Sequence, residues 1–66
     1  MLLGEKLKET RQGKGLSQST VAEHLSISRQ SISKWENNSS YPDLDNLVRL
    51  SEYYEISIDD LLKENQ

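Results

Sequence analysis

Apolar residues recur along this chain at spacings of three and four, the period of an amphipathic α-helix. Leu3 and Leu7 begin the first run, which ends at a glycine pair, Gly13 and Gly15. Further runs of the same kind follow, and no alternating strand pattern occurs between them. The pattern predicts helices at about residues 3–13, 17–25, 28–36, 44–54 and 58–64. The expected architecture is therefore all-α, a compact bundle of five short helices forming one domain over residues 1–66.

Capping and turn residues separate these runs. Ser17, Ser28 and Asp43 each precede a run and can act as N-caps, and residues 37–42, N-N-S-S-Y-P, have turn composition. So few residues link the second helix to the third that the two must cross steeply. The predicted core consists of Leu3, Leu7, Leu16, Val21, Ala22, Leu25, Ile27, Ile32, Trp35, Leu44, Leu47, Leu50, Tyr54, Ile56, Ile58, Leu61 and Leu62.

The third predicted helix has two different faces. At about 100° per residue, Ile32 and Trp35 lie on one side. The opposite side carries Arg29, Gln30, Ser33, Lys34 and Asn37. A short helix anchored on one face and polar on the other suits contact with base edges in a DNA major groove. An ordinary solvated helix face has the same pattern, and this stretch alone does not decide between them.

The charge is divided unevenly along the chain. The net charge of −3 argues against a nucleic-acid partner. Residues 1–35, however, have a net charge of +3, and residues 36–66 have −6. An acidic half directed away from DNA would weaken non-specific binding and leave the basic face free. The same acidic half can instead simply keep a small protein soluble.

Composition argues against catalysis and against a membrane location. The chain has no cysteine and one histidine, His24, expected to be an exposed helix residue. We therefore expect no enzyme, no bound metal and no cofactor. No apolar run is long enough to cross a membrane, and the N-terminus has no signal-peptide pattern. A cytoplasmic protein is expected.

Four motifs occur in order: L-S-Q at residues 16–18, V-A-x-x-L at 21–25, S-R-Q-S-I-S-K-W-E-N at 28–37 and Y-P-D-L at 41–44. Together they closely resemble the Cro/C1-type helix-turn-helix family, also called the XRE family, over about residues 3–62. The resemblance implies a lambda-repressor-like DNA-binding domain, in which the second and third helices form the helix-turn-helix.

The resemblance also implies roles for individual residues. Base contacts are expected from Arg29, Gln30, Ser33 and Lys34. Phosphate contacts are expected from Gln18, Ser28, Ser31 and Asn37, although a glutamine without a partner is the alternative for Gln18. Arg11, Glu36 and Trp35 are expected to support the recognition helix: the first two as a partly buried pair, and Trp35 as core.

The family comparison further implies a transcriptional regulator, a repressor, that binds double-stranded operator DNA as a homodimer. One helix contacts few base pairs, so a palindromic operator is expected. The expected dimer surfaces are the loop at residues 38–42 and the end of the domain formed by the fourth and fifth helices, including Tyr53, Ile56 and Leu62, with weak pairing off DNA. The alternative is a protein-binding module of the same fold, such as an antitoxin or anti-repressor partner, acting through its acidic half.

Three positions depart from the family pattern. Ser26, Asn38 and Glu55 stand where many relatives carry glycine. A left-handed backbone at such a position costs a non-glycine residue about 1 kcal/mol, and asparagine less. Asn38 fits that conformation, whereas Ser26 and Glu55 imply either strain or altered turns.

Overall fold

Four of the five helices begin after a side chain that caps their first turn. The structure, a computed structural model, describes residues 2–63. The cap oxygens of Ser17, Ser28, Asp43 and Ser57 accept from the backbone N–H three residues on, at 3.0 to 3.2 Å. The helices are α1 (Leu3–Gly13), α2 (Gln18–Leu25), α3 (Arg29–Glu36), α4 (Leu44–Tyr54) and α5 (Ile58–Leu62). Residues 2–63 contain no β-strand, which confirms the predicted all-α architecture.

Three predicted boundaries differ from the structure by one or two residues. Ser17 and Ser28 are N-caps, as predicted, and have extended backbone conformations, so the helices predicted at 17–25 and 28–36 each begin one residue later. The fifth helix ends at Leu62, and not at residue 64, because Lys63 is already extended (φ −68°, ψ 128°). Glu64 lies outside the described residues.

The core forms where α3 packs against α1 and α2, and α5 packs against α1 and α4. Its fully buried residues include Tyr54, Leu25, Ile32, Leu50, Leu61 and Val21. Two of the predicted core residues are exposed instead: Leu44 by 71% and Leu62 by 53%. Leu44 lies outside the arc that the other inward residues of α4 share, and Leu62 lies about 100° around the helix from buried Leu61.

The beginning of α1 is fixed to the end of α3. The Gly4 N–H donates to Asn38 Oδ1 at 2.9 Å. A Cβ at Gly4 would overlap both the Trp35 carbonyl oxygen and the Asn38 side chain. Only glycine therefore allows these two backbones to approach so closely.

Ser26, Asn38 and Glu55 all have left-handed backbone conformations, with φ of 58°, 62° and 56°. Ser26 and Glu55 each end a helix. The Ile27 N–H donates to the Ala22 carbonyl, and the Ile56 N–H donates to the Ser51 carbonyl in the same way. Glycine is the usual residue at such ends. The turns keep the left-handed geometry and are not altered, so Ser26 and Glu55 are strained.

Replacing Glu55 by glycine is expected to stabilise the protein by about 1 kcal/mol, because glycine relieves the left-handed strain. The ion pair that Glu55 forms with Lys14 is exposed and 3.8 Å long, so its loss costs little. The measurement is the free energy of unfolding in urea. The control is Glu52→Gly inside α4, which should destabilise by about 1 kcal/mol. Equal destabilisation by both variants would contradict the strain at Glu55.

Candidate nucleic-acid interface

The orientation of α3 is set by the residues that it buries. Ile32 and Trp35 are only 2% and 8% exposed, and both belong to the core. The capped N-terminus begins the helix at Arg29. Because only one side of α3 packs against the core, the residues opposite Ile32 and Trp35 face solvent.

The four predicted base-contacting residues lie on that outward side to different degrees. Arg29, Gln30 and Lys34 are exposed, and Ser33 is half-buried. The Asn37 amide donates to Ser33 Oγ at 3.4 Å across one turn. The outward surface of α3 therefore offers two cationic side chains and one exposed amide, together with a hydroxyl that already accepts one hydrogen bond.

Ser28 and Ser31, two of the predicted phosphate-contacting residues, are hydrogen-bonded to each other. Ser28 Oγ accepts from the Ser31 N–H at 3.2 Å and lies 3.1 Å from Ser31 Oγ. Ser28 is thus first of all the N-cap of α3. Asn37, at the C-terminal end of α3, is exposed.

The expected contact between Arg11 and Glu36 is present and nearly enclosed. Arg11 Nε donates to Glu36 Oε2 at 2.7 Å, and Arg11 Nη2 donates to Oε1 at 3.0 Å. The remaining guanidinium nitrogen donates to the Leu16 carbonyl at 2.7 Å. The bond from Glu36 raises the pKa of Arg11 against the lowering effect of burial, so the guanidinium stays protonated. One arginine of α1 thereby joins α3 to the turn before α2.

The same carboxylate has a third donor that sequence reasoning missed. Gln18 Nε2 donates to Glu36 Oε1 at 3.0 Å, and Gln18 Oε1 accepts from Arg29 Nη1 at 3.1 Å. Gln18 therefore has partners within the protein, and its phosphate contact stays a prediction. The proximity arises because a helix-turn-helix brings the first residues of α2 and α3 together, although they are eleven positions apart. The steep crossing of these two helices was predicted from the sequence, and it was the signal that could have indicated this contact.

Away from α3, His24 is exposed, as expected, and stacks on Tyr53 with ring centroids 3.8 Å apart and planes 10° from parallel. Tyr54, beside it, is buried. Burial and the negative charge of Glu36 raise the pKa of Tyr54, so its phenol stays protonated. Within residues 2–63 no group of side chains is arranged to hold a metal ion, and no helix has the length and apolarity to cross a bilayer.

Removing Glu36 alone should be costly. Glu36→Ala leaves Arg11 as a buried charge without its counter-ion, and we expect a loss of about 3–5 kcal/mol in the free energy of unfolding. Replacing both residues, Arg11→Met with Glu36→Leu, should give a stability much closer to wild type. As a control, Lys14→Ala breaks an exposed pair and should cost less than about 1 kcal/mol. Urea unfolding that shows Glu36→Ala within 1 kcal/mol of wild type would be inconsistent with a buried pair.

Comparison with known proteins identifies the same architecture. A family model described as a helix-turn-helix domain matches residues 4–66. The HTH-type transcriptional activator BcrR of Enterococcus faecalis is 44% identical over 62 residues, which are 94% of this chain and 30% of BcrR. The HTH-type transcriptional regulator ImmR of Bacillus subtilis is 41% identical over 66 residues, which are 100% of this chain and 52% of ImmR. The chain thus spans about half the length of ImmR, and less of BcrR.

A solved structure supports the match at the level of the fold. The P22 c2 repressor, crystallised in complex with the synthetic operator 9T, superposes with a TM-score of 0.91 at 31% sequence identity, over 98% of both chains. The motifs, the five helices and these relatives agree: the chain belongs to the Cro/C1-type helix-turn-helix family.

Proposed function

We propose that this chain is a sequence-specific, double-stranded-DNA-binding transcriptional regulator that inserts α3 into the major groove. One observation carries the proposal. Arg29, Gln30 and Lys34 are exposed on a helix whose opposite face is buried through Ile32 and Trp35. The polar face therefore cannot turn inward, and it is presented as one rigid surface. The P22 c2 repressor, which shares the fold, was crystallised with an operator, and this supports the same mode of binding here.

The chemistry of this face matches base edges. Arg29 and Lys34 supply donors for the O6 and N7 acceptors of guanine, and the amide of Gln30 is complementary to N6 and N7 of adenine. Ser33 contributes a hydroxyl, which bonds either kind of base edge. Three cationic or amide side chains on two helical turns suffice to distinguish a few adjacent base pairs.

Phosphate contacts would hold this helix in register. The N-terminus of α2 begins at Gln18 and presents free backbone N–H groups, a favourable site for an anion. The Gln18 amide uses one hydrogen on Glu36 and has a second for a phosphate oxygen. Asn37 is the exposed donor at the C-terminal end of α3, and the hydroxyls of Ser28 and Ser31 lie at its N-terminal end.

A homodimer on a palindromic operator supplies the remaining specificity. Half-sites on one face of DNA lie about 34 Å apart. The longest extent of the Cα positions is 31 Å, so two copies fit one helical turn apart and approach each other closely. The contacts would come from residues 38–42 and the α4–α5 end, where Tyr41 and Leu62 are exposed. Such a small surface implies weak pairing in solution that strengthens on DNA.

Repression requires fewer contacts from the domain than activation does. A protein seated over a promoter excludes polymerase sterically, whereas activation requires a further productive contact. The acidic residues after Glu36 suit this role, because they lower affinity for non-specific DNA and so favour the operator in the competition.

Selecting duplexes from a random pool, at several stated salt concentrations, tests the proposal. We expect a palindrome whose half-sites are about one helical turn apart, and an affinity that falls steeply as salt rises. An enriched single half-site would contradict the dimer. Recovery of no preferred sequence would contradict specific DNA binding and favour a protein-binding module of the same fold.

Substituting the outward residues should remove discrimination. Arg29→Ala and Gln30→Ala are each expected to cost about 1–3 kcal/mol of binding to the selected duplex and to relax the preference at the base pair that each contacts. Fluorescence anisotropy with matched and singly substituted duplexes measures both effects. The control is Arg49→Ala on α4, which removes the same charge from the acidic half. Equal losses of affinity from Arg49→Ala and Arg29→Ala would mean that the net charge of the protein, and not a base contact by Arg29, determines binding.

A further inference from the structure

The chain that leaves α3 contacts the beginning of α1 through one side chain. Asn38 lies two residues after the end of α3, and its Oδ1 accepts from the Gly4 N–H at 2.9 Å. The two residues are 34 positions apart in the sequence. Because the contact is half-buried, water competes for it less than it would on an open helix surface. This bond is a second connection between α1 and α3, separate from the Arg11–Glu36 pair.

Asn38 also ends α3 through its backbone, which is left-handed. The Asn38 N–H donates to the Trp35 carbonyl at 3.2 Å. The next N–H, that of Ser39, donates to the Lys34 carbonyl at 2.9 Å. These two bonds form a Schellman motif, whose left-handed residue is usually glycine and sometimes asparagine. The position of Asn38 and that of the last turn of α3 are therefore linked.

The first turn of α1 takes its cap from this residue. The N–H groups at the beginning of a helix have no partner within the helix. Leu2, at the N-cap position of α1, makes no side-chain cap bond, whereas Asn38 bonds the Gly4 N–H in that turn. A capping residue ordinarily precedes its helix directly. Here the cap comes from the end of another helix, so the first turn of α1 and the last turn of α3 share one side chain.

Few residue types meet both requirements at position 38. Glycine, which many relatives carry here, adopts the left-handed conformation without strain but has no side-chain acceptor. Asparagine and aspartate tolerate that conformation better than most residues and carry an oxygen that can accept. Glycine would therefore end α3 equally well and leave the Gly4 N–H without this bond.

We propose that Asn38 is a positioning residue for the last turn of α3: with one side chain it ends α3 and caps α1, and so fastens the turn that carries Lys34 to the first turn of α1. This inference rests on the proposed DNA-binding function and goes beyond it, because it assigns a role to a residue outside the proposed base and phosphate contacts. Arg29, at the other end of α3, is bonded to Gln18, and its base contact should not depend on Asn38.

Two substitutions separate the requirements at position 38. Asn38→Gly keeps the backbone conformation and removes the acceptor, whereas Asn38→Asp keeps both. In the free protein, hydrogen exchange of the Gly4 N–H should be about fivefold faster in Asn38→Gly than in wild type, as expected for the loss of one hydrogen bond. Asn38→Asp should retain the wild-type protection. The matched control is Glu55→Gly, the same change at the left-handed end of α4, which should leave the exchange of Gly4 unchanged.

Binding to the selected duplex and to its singly substituted versions tests the positioning role. Asn38→Gly should lower the preference at the base pair that Lys34 contacts by about fivefold, and leave the preference at the base pair of Arg29 unchanged. In a Lys34→Ala background, Asn38→Gly should have no further effect on that preference. Asn38→Asp adds a negative charge, so its affinity should fall for all duplexes alike while its base preferences stay as in wild type.

The outcomes are distinguishable. Unchanged Gly4 exchange in Asn38→Gly would overturn the cap, and a uniform loss of affinity with intact base preferences would overturn the positioning role. The thermal midpoint reports on folding, and loss of the Lys34 preference in a folded Asn38→Asp would overturn the inference independently of Asn38→Gly. Absence of any preferred duplex for the wild-type protein would instead remove the proposed function, while the exchange data would still show whether Asn38 caps α1.

Discussion

The structure depends on the hydrogen bonds that the carboxylate of Glu36 accepts inside the protein. A buried charge is tolerated only when it is paired and hydrogen-bonded, and Glu36 receives two bonds from Arg11 of α1 and one from Gln18 of α2. Both oxygens are bonded within a side chain that is 2% exposed. The three donors are available together only when α1, α2 and α3 have one relative arrangement. The last residue of α3 therefore fixes the position of the whole helix.

The rest of α3 is secured by contacts of a different kind. Ile32 and Trp35 bury its inner side, and Gly4 lies so close to the backbone that follows Trp35 that no larger residue fits. Apolar burial provides stability but little directional information, whereas the ion pair has strict geometry. Since replacing a whole buried pair by apolar residues is often neutral, the contribution of the Arg11–Glu36 pair lies in orientation more than in stability. The proposed contact of α3 with base edges requires such a fixed orientation.

The helices and the outward face of α3 were predictable from sequence because they follow from local rules. The spacing of Ile32 and Trp35 and the caps at Ser17, Ser28 and Asp43 act within one or two turns. Leu44 shows where these rules end: it lies three residues before buried Leu47, but it falls outside the arc of the inward residues of α4 and is 71% exposed. The left-handed backbone at Glu55 was foreseen only through glycine in relatives, since glutamate itself gives no signal for that conformation.

The hydrogen-bond partners of Gln18 are the part of the candidate site that was not predicted from the sequence, and the reason is physical. Helical periodicity describes which side of a helix a residue occupies, but a contact between two helices depends on their crossing and on side-chain direction. Gln18 lies at the beginning of α2, where family resemblance suggested only an outward contact. Its amide instead has one end in the interior and one on the surface. The interior is therefore connected to the outward face of α3, since Gln18 is hydrogen-bonded to both Glu36 and Arg29.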